Sequence, residues 1–554
     1  MTQENGETDD LARYLLTNSL HGVPGIRVVC LCRLCLLMPM VSTQVLNNDD
    51  LRRWRACTRR FWLYRRRDPD AAAGFAAFDV RPDADTDASA EAAVVHGPGI
   101  DAALRASFPG ADLIATPNSP AAWAQAVQYT LNCLDSDRVV PEGWAILGAC
   151  LTSGDRAQVR IDVLTCGNRG LRLFKVRYAT VGDEADVDEV AFWVHAAARC
   201  GLRVQSAGLL LVDTDFIYPG HGCYAGLFRE VDLAPVLGAR PVAAWLTAMR
   251  DCARGPQPPA TPGLHCTQNG GCEFVHDCQA CAGTTPALPP DPQASLEIVG
   301  RELAVALRQE GHANLHSVAL QRLTDARHRR AVRAIQQGAP VLEPGVATLM
   351  QALPYPRYSL RFDTIGFAVP LWAGTRPYQV LPFQWTCDVQ NAAGPLERHS
   401  FLADAEGDPR RAFAQTLLQA LGSAGPVFAY NAGFERNRIR DLAQLFDNLA
   451  PALEAVVERI VDLFQLARAN YYHPAMAGSW SFKSMCRAIA PELPLDGLDG
   501  LAPSAQAAFA RSLQRGLDGV ARQQLRTALH AHGQRQTEVL RRMVALFSEG
   551  WGRD

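Results

Sequence analysis

Apolar and polar positions fall into runs whose period changes along the chain. Residues 158–164 and 171–178 alternate in character around Cys166-Gly167-Asn168-Arg169-Gly170, which predicts a β-hairpin. The next segment, Asp186 to Trp193, reads as a helix. Over 295 to about 335, Leu296, Val299, Leu303 and Leu307 keep helical spacing, and the stretch ends in Arg327, His328, Arg329, Arg330 and Arg333. A solvated helix face and a phosphate contact both account for that basic end. From residue 355 onward, strand-like runs at 358–368, 381–389 and 427–430 alternate with an amphipathic run at 411–421, and 504–548 is mostly helical. Such alternation predicts an α/β domain with a central mixed sheet.

Punctuation separates this region from what precedes it. Gly255-Pro256-Gln257-Pro258-Pro259 introduces a cysteine cluster, and residues 284–292, with Pro286, Pro289, Pro290 and Pro292, read as a linker. The expected division is an extension at 1–45, a domain at 46–284, a linker and helical connector at 285–354, and a domain at 355–554. No internal repeat is found.

A chain of 554 residues with 48% apolar and 20% charged residues is too long for one compact domain and too ordinary for a fibrous or disordered class. A net charge of −3 supplies no global pull toward a polyanion, so nucleic acid would have to meet a local patch. All but two of the 54 basic residues are arginine, Lys175 and Lys483 being the exceptions. Coding bias and enrichment for bidentate phosphate contacts both account for this. Glu4, Glu7, Asp9 and Asp10 stand where a signal peptide needs basic residues, and the apolar run at 28–40 is interrupted by Arg33 and too short to span a bilayer. The expectation is a cytoplasmic protein with no membrane contact, in which residues 1 to about 39 are an appended leader and Met38 or Met40 a candidate start.

Sixteen cysteines without an export signal point to a reducing compartment, where clustered thiols bind metal more often than they pair. Cys266, Cys272 and Cys278 recur at regular intervals in a Gly-containing loop, with Cys281 close behind. Four thiolates hold zinc or an iron-sulfur cluster, and spacing does not choose between them. Cys57 is the best distant fourth ligand, in a helix rich in arginine and aromatic residues that runs from Leu51 to Leu63.

A basic, aromatic helix with one cysteine, far upstream of a C-x5-C-x5-C loop, resembles the RecB-like nucleases of the PD-(D/E)XK fold, including CRISPR-associated members, that carry a four-iron, four-sulfur cluster. The resemblance implies Cys57, Cys266, Cys272 and Cys278 as ligands, with Cys281 as substitute. It also implies a metal-holding Asp on one strand and Glu-x-Lys on the next. Asp162 matches the first, but Lys175 and Arg177 occupy the other two positions. Like unit charges about 4 Å apart repel by roughly 4 kcal/mol at an effective dielectric of 20, so a divalent ion is disfavoured there. Glu189 matches a later acid, with Trp193 in place of glutamine.

In the second domain Arg361 and Asp363 share one face of a strand, and Glu435, Asp462, His532 and Gln536 follow. Their order resembles DnaQ-like exonucleases of the RNase H fold, where carboxylates converge on two metal ions. Over residues 46 to 548 the chain resembles the bacterial family labelled domain of unknown function 2779, which joins a RecB-like module to a DnaQ-like one. Residues 370–379 and 382–385, 408–413, 471–474 and 478–483 carry that likeness.

The resemblance implies Asp363, Glu435 and Asp462 as acids around one Mg²⁺ or Mn²⁺, with His532 as base, while Arg361 and Gln536 replace two further acids. A salt bridge between Arg361 and Asp363 is the competing expectation.

The expected fold class is therefore α/β, a PD-(D/E)XK nuclease-like domain plus an RNase H-like domain of DnaQ type. The expected function is nucleic-acid binding, to DNA or RNA, by a protein of nuclease ancestry whose hydrolysis is lost or strongly weakened. Arg52, Arg53, Arg55, Arg59, Arg60 and Lys483 would contact the strand, with Arg65, Arg66 and Arg67 extending the patch. The alternatives are a metal-dependent 3′–5′ exonuclease and a zinc-stabilised interaction protein.

Overall fold

The computed structural model describes residues 45–67, 94–95, 100–134, 144–167, 169–266, 272–281, 291–404, 407–493, 495, 497–498, 500–514 and 516–549. Residues 1–44 of the expected extension and 284–290 of the expected linker lie outside the described residues. The chain is mixed α/β and divides into two compact units. The first takes residues 1–80, 108–211 and 229–260, and the second takes 81–107, 212–228 and 261–554.

In chain order the first strands are β1 (Leu46–Asn47), β2 (Val94–Val95), β3 (Asp112–Leu113), β4 (Ala145–Thr152), β5 (Ala157–Gly167), β6 (Gly170–Arg177), β7 (Val204–Val212) and β8 (Phe228–Asp232). All but β2 build the sheet of the first unit, in the order β3-β4-β5-β6-β7-β8, with β1 parallel to β5. The alternating run at 158–178 is the antiparallel pair β5–β6. β4 is buried along nearly its whole length, which is why it shows no alternation to read.

Helices α1 (Asn48–Ala56), α2 (Thr58–Arg67), α3 (Glu184–Arg199) and α4 (Val242–Arg254) belong to this unit. Its core gathers Leu46, Leu51, Phe61, Trp123, Phe192, Trp193 and Leu246. Two helix starts are written in the sequence as reciprocal caps. The Asn47 side chain accepts the Asp50 N–H and Asp50 accepts the Asn47 N–H; Asp183 and Asp186 do the same for α3.

The second unit is built on β9 (Val341–Leu342), β10 (Arg357–Phe367), β11 (Leu381–Gln390), β12 (Glu397–Leu402), β13 (Val427–Ala429), β14 (Ile460–Asp462) and β15 (Tyr471–Tyr472). Its main sheet runs β12-β11-β10-β13-β14, antiparallel across the first three strands and parallel across the last three. β2 pairs with the end of β10, and β9 and β15 form a separate antiparallel pair. The periodic stretch at 295–335 is two helices rather than one. Gly300, at φ 90°, ends a turn at 296–299 before a helix at 301–309, and a second helix starts at Ala326 under the Asp325 cap.

Helices α5 (Gly433–Leu445), α6 (Leu463–Asn470), α7 (Phe482–Ile489) and α8 (Gly519–Glu549) complete the surroundings of the candidate site. The long α8 is apolar at both ends of its buried face. Leu525, Ala528 and Leu529 join one core cluster, and Val539, Leu540, Met543, Val544 and Phe547 join another. Between them lie His532, Gly533, Gln536 and Thr537, all buried. At Gly533 the helix approaches the sheet so closely that a Cβ would collide with Thr386 Oγ1 and lie 2.7 Å from Gln384 Nε2. No helix among the described residues is long and apolar enough to cross a membrane.

Candidate functional site

In the first unit the acids and cations singled out in the sequence converge. Asp162 on β5 accepts the Val176 N–H of β6 at 2.9 Å. Lys175, on β6, reaches Glu189 Oε2 on α3 at 2.9 Å and Asp186 Oδ1 at 3.9 Å. Arg52 of α1 donates to the same Glu189 oxygen through Nε at 3.0 Å, and Asn48 Nδ2 donates to Oε1 at 2.9 Å. Arg177 Nε approaches Asp186 Oδ2 at 3.1 Å. The side chains of Glu189, Asp186 and Lys175 are 4%, 2% and 8% exposed.

Neutralisation decides the charge states here. Burial pushes the Glu189 carboxyl up, but Arg52 and Lys175 outweigh it and hold the group down at about 2. Asp186 is raised to about 6, because burial exceeds the help from Lys175. Asp162 is also raised by burial, with Lys175 opposing. The Lys175 ammonium thus lies between Glu189 and Asp186 and acts on Asp162 as well.

The second unit brings its residues together more loosely. Arg361 Nη1 on β10 lies 3.5 Å from Glu435 Oε1 of α5 and the same distance from the Tyr430 carbonyl. Glu435 is fully buried, Arg361 is 15% exposed, and the guanidinium lies 4.7 Å from the ring centroid of Phe482. The Arg361 ion pair therefore runs to Glu435 rather than to the expected Asp363. Asp363 instead faces the Gln536 amide at 3.5 Å, and Gln536 Nε2 lies 2.8 Å from His532 Nε2. Asp462 caps α6 by accepting the Phe464 N–H and also accepts the Asn431 N–H, at 3.0 and 3.1 Å. Lys483 is exposed, whereas Tyr471 and Tyr472 are fully buried core residues.

The expected cofactors are overturned. Among the described residues, no group of three or more His, Cys, Asp or Glu side chains is arranged to hold a metal ion. This removes the four-iron, four-sulfur cluster, its zinc alternative, and the Mg²⁺ or Mn²⁺ expected at Asp363, Glu435, Asp462 and His532. The local reasons differ. Cys57 caps α2, its Sγ accepting the Arg60 N–H at 3.5 Å. Cys266 and Cys278 are buried, Cys272 is half-buried, and Cys281 is exposed at the end of the helix Val275–Cys281. In the second unit a cation pairs with Glu435, while Asp462 serves as a cap.

The basic patch is narrower than the sequence suggests. Arg52 pairs with Glu189, Arg55 with Asp188, and Arg65 with Asp50, while Arg59 is buried and donates to the Pro258 carbonyl at 2.7 Å. Arg53 and Arg66 instead lie over Tyr64 and Trp62, at 3.6 and 4.2 Å from the ring centroids. Arg60 is half-buried. At the basic end of the helix Ala326–Gln337, Arg327 pairs with Asp325, and Arg330 and Arg333 with Glu343.

Sequence reasoning missed Asn48 and Asp186 as partners in the first cluster, and Tyr430 and Phe482 in the second. Asp186 was accessible in principle, since it stands three residues before Glu189 on one helix face. Asn48 and Phe482 become partners only through tertiary packing.

Residues 358–481 match the family model described as Domain of unknown function (DUF2779). The matched span holds Arg361, Asp363, Glu435 and Asp462, whereas His532 and Gln536 lie beyond it. No curated protein and no solved structure matches the chain.

Proposed function

We propose that this is a nucleic-acid-binding protein of nuclease ancestry in which phosphodiester hydrolysis is lost. In this reading residues 46–284 derive from a PD-(D/E)XK nuclease and residues 355–554 from a DnaQ-like exonuclease of the RNase H fold. One observation carries the proposal: in each acid cluster a protein cation is set against a buried acid, Lys175 against Glu189 and Arg361 against Glu435. Carboxylates committed to internal ammonium and guanidinium groups do not polarise a phosphodiester or its attacking water.

Binding is assigned to Arg53 of α1 and Arg66 of α2. Each guanidinium lies over a ring, Arg53 over Tyr64 and Arg66 over Trp62, a placement that holds the cation for a phosphate contact. The test is fluorescence anisotropy of labelled single- and double-stranded DNA and RNA across a salt series. Affinity is expected to fall with salt, and the Arg53→Ala/Arg66→Ala double variant to flatten the log–log slope by about 1–2. Salt-insensitive binding, or none to any strand, would refute the proposal.

A further inference from the structure

Two cysteines of the first unit lie near the start of α2. Cys57 occupies the cap position, its carbonyl accepting the Phe61 N–H at 3.1 Å and its Sγ accepting the Arg60 N–H. Cys252, on α4, directs its Sγ at the carbonyl of the very next residue, Thr58, at 3.7 Å. Both thiols are half-buried, so each is packed in place yet open to a small reagent. By contrast, Cys133, Cys150 and Cys200 in the same unit are buried. The two helices are already tied at this end, because Trp62 Nε1 donates to the Gly255 carbonyl at 3.1 Å and Arg59 to that of Pro258. Burial raises the Cys252 thiol, and the nearby Cys57 raises it further.

We infer that Cys57 and Cys252 form a reversible disulfide by exchange with a small-molecule disulfide, linking the start of α2 to α4. The Cys57 thiolate attacks one sulfur of the reagent, giving a mixed disulfide and one released thiolate. The Cys252 thiolate then attacks the Cys57 sulfur and expels the second. Each protein thiol passes its proton to a released thiolate, so two protein thiols are oxidised and one small disulfide is reduced to two thiols. Cys57 is assigned the first attack because its sulfur is held in place at the start of α2, where it accepts the Arg60 N–H.

The test uses the full reduced chain treated with oxidised glutathione, quenched by alkylation and mapped by peptide mass spectrometry. A cross-linked pair of peptides holding Cys57 and Cys252, two hydrogens lighter than their sum and separated by dithiothreitol, is expected. Cys252→Ser should instead retain glutathione on Cys57, which distinguishes loss of the partner from loss of the fold. Exposed Cys166 reports that the reagent is active. Glutathione on Cys166 with no Cys57–Cys252 link, or Cys57 joined to another cysteine, would overturn the inference. The readout is covalent, so it is independent of whether the chain binds nucleic acid.

Discussion

The two acid clusters solve one problem differently. In the first unit Glu189 receives three donors within about 3 Å from α1 and β6, two of them cationic, and a second acid sits one helical turn away. In the second, Arg361 and Glu435 stand 3.5 Å apart and Asp363 leans on an amide at the same distance. The difference teaches where charge is structural. Removing one partner of a tightly bonded, buried ion pair strands a charge, whereas the Arg361–Glu435 contact, at 3.5 Å, is longer, so less attraction is lost with its cation even though Glu435 is buried. The first cluster should therefore behave as a keystone of its unit, and the second as a looser contact around a buried acid.

The largest expected effect is that of Lys175→Ala, which leaves Glu189 and Asp186 undercompensated and should destabilise the first unit by about 3–5 kcal/mol in urea unfolding. Adding Glu189→Gln should recover part of that loss, and no recovery would show that the cost is packing rather than charge. Gly533→Ala is expected to cost about 1–3 kcal/mol in the second unit, because its Cβ has no room against Thr386 and Gln384. Arg361→Ala should cost less than Lys175→Ala, about 1–2 kcal/mol, and an equal or greater loss would break the comparison.

A further effect is one of pH. The folded Asp186 carboxyl sits at about 6 against an ordinary 3.8, so the folded state binds its proton more tightly than the unfolded chain does. Its contribution to stability must then fall as pH rises from about 4 to about 6 and stay level above. Glu189 has the opposite sign: at about 2 against 4.5, it contributes fully above 4.5 and that contribution is lost as pH falls toward 2. Asp186→Asn should remove the first slope and leave the second. A variant profile that still falls between pH 4 and 6 would assign that slope elsewhere.

Elements with a clean period were readable from residues alone. The hairpin β5–β6, the strands β10 and β11 and the helix Arg410–Leu421 lie within a few residues of where alternation or amphipathicity put them. β4 was not, since a strand buried on both faces looks like any apolar run. The candidate sites were half legible. Charged residues inside strands, such as Lys175 and Arg361, announce themselves because burial must be compensated. Which acid compensates them does not, because Lys175 and Arg52 meet only across the fold and Arg361 finds Glu435 more than seventy residues away. The cysteine spacing misled for the same reason, since regular intervals do not make thiols converge.

The most direct test incubates the purified full chain with end-labelled single- and double-stranded DNA and RNA, with Mg²⁺ or Mn²⁺ added, while binding is followed in parallel. Strands that are bound at low salt, released as salt rises and recovered at full length are the expected result. A ladder of shortened products that disappears in Glu435→Ala would contradict the account, because it would mean that the acid facing Arg361 still does chemistry.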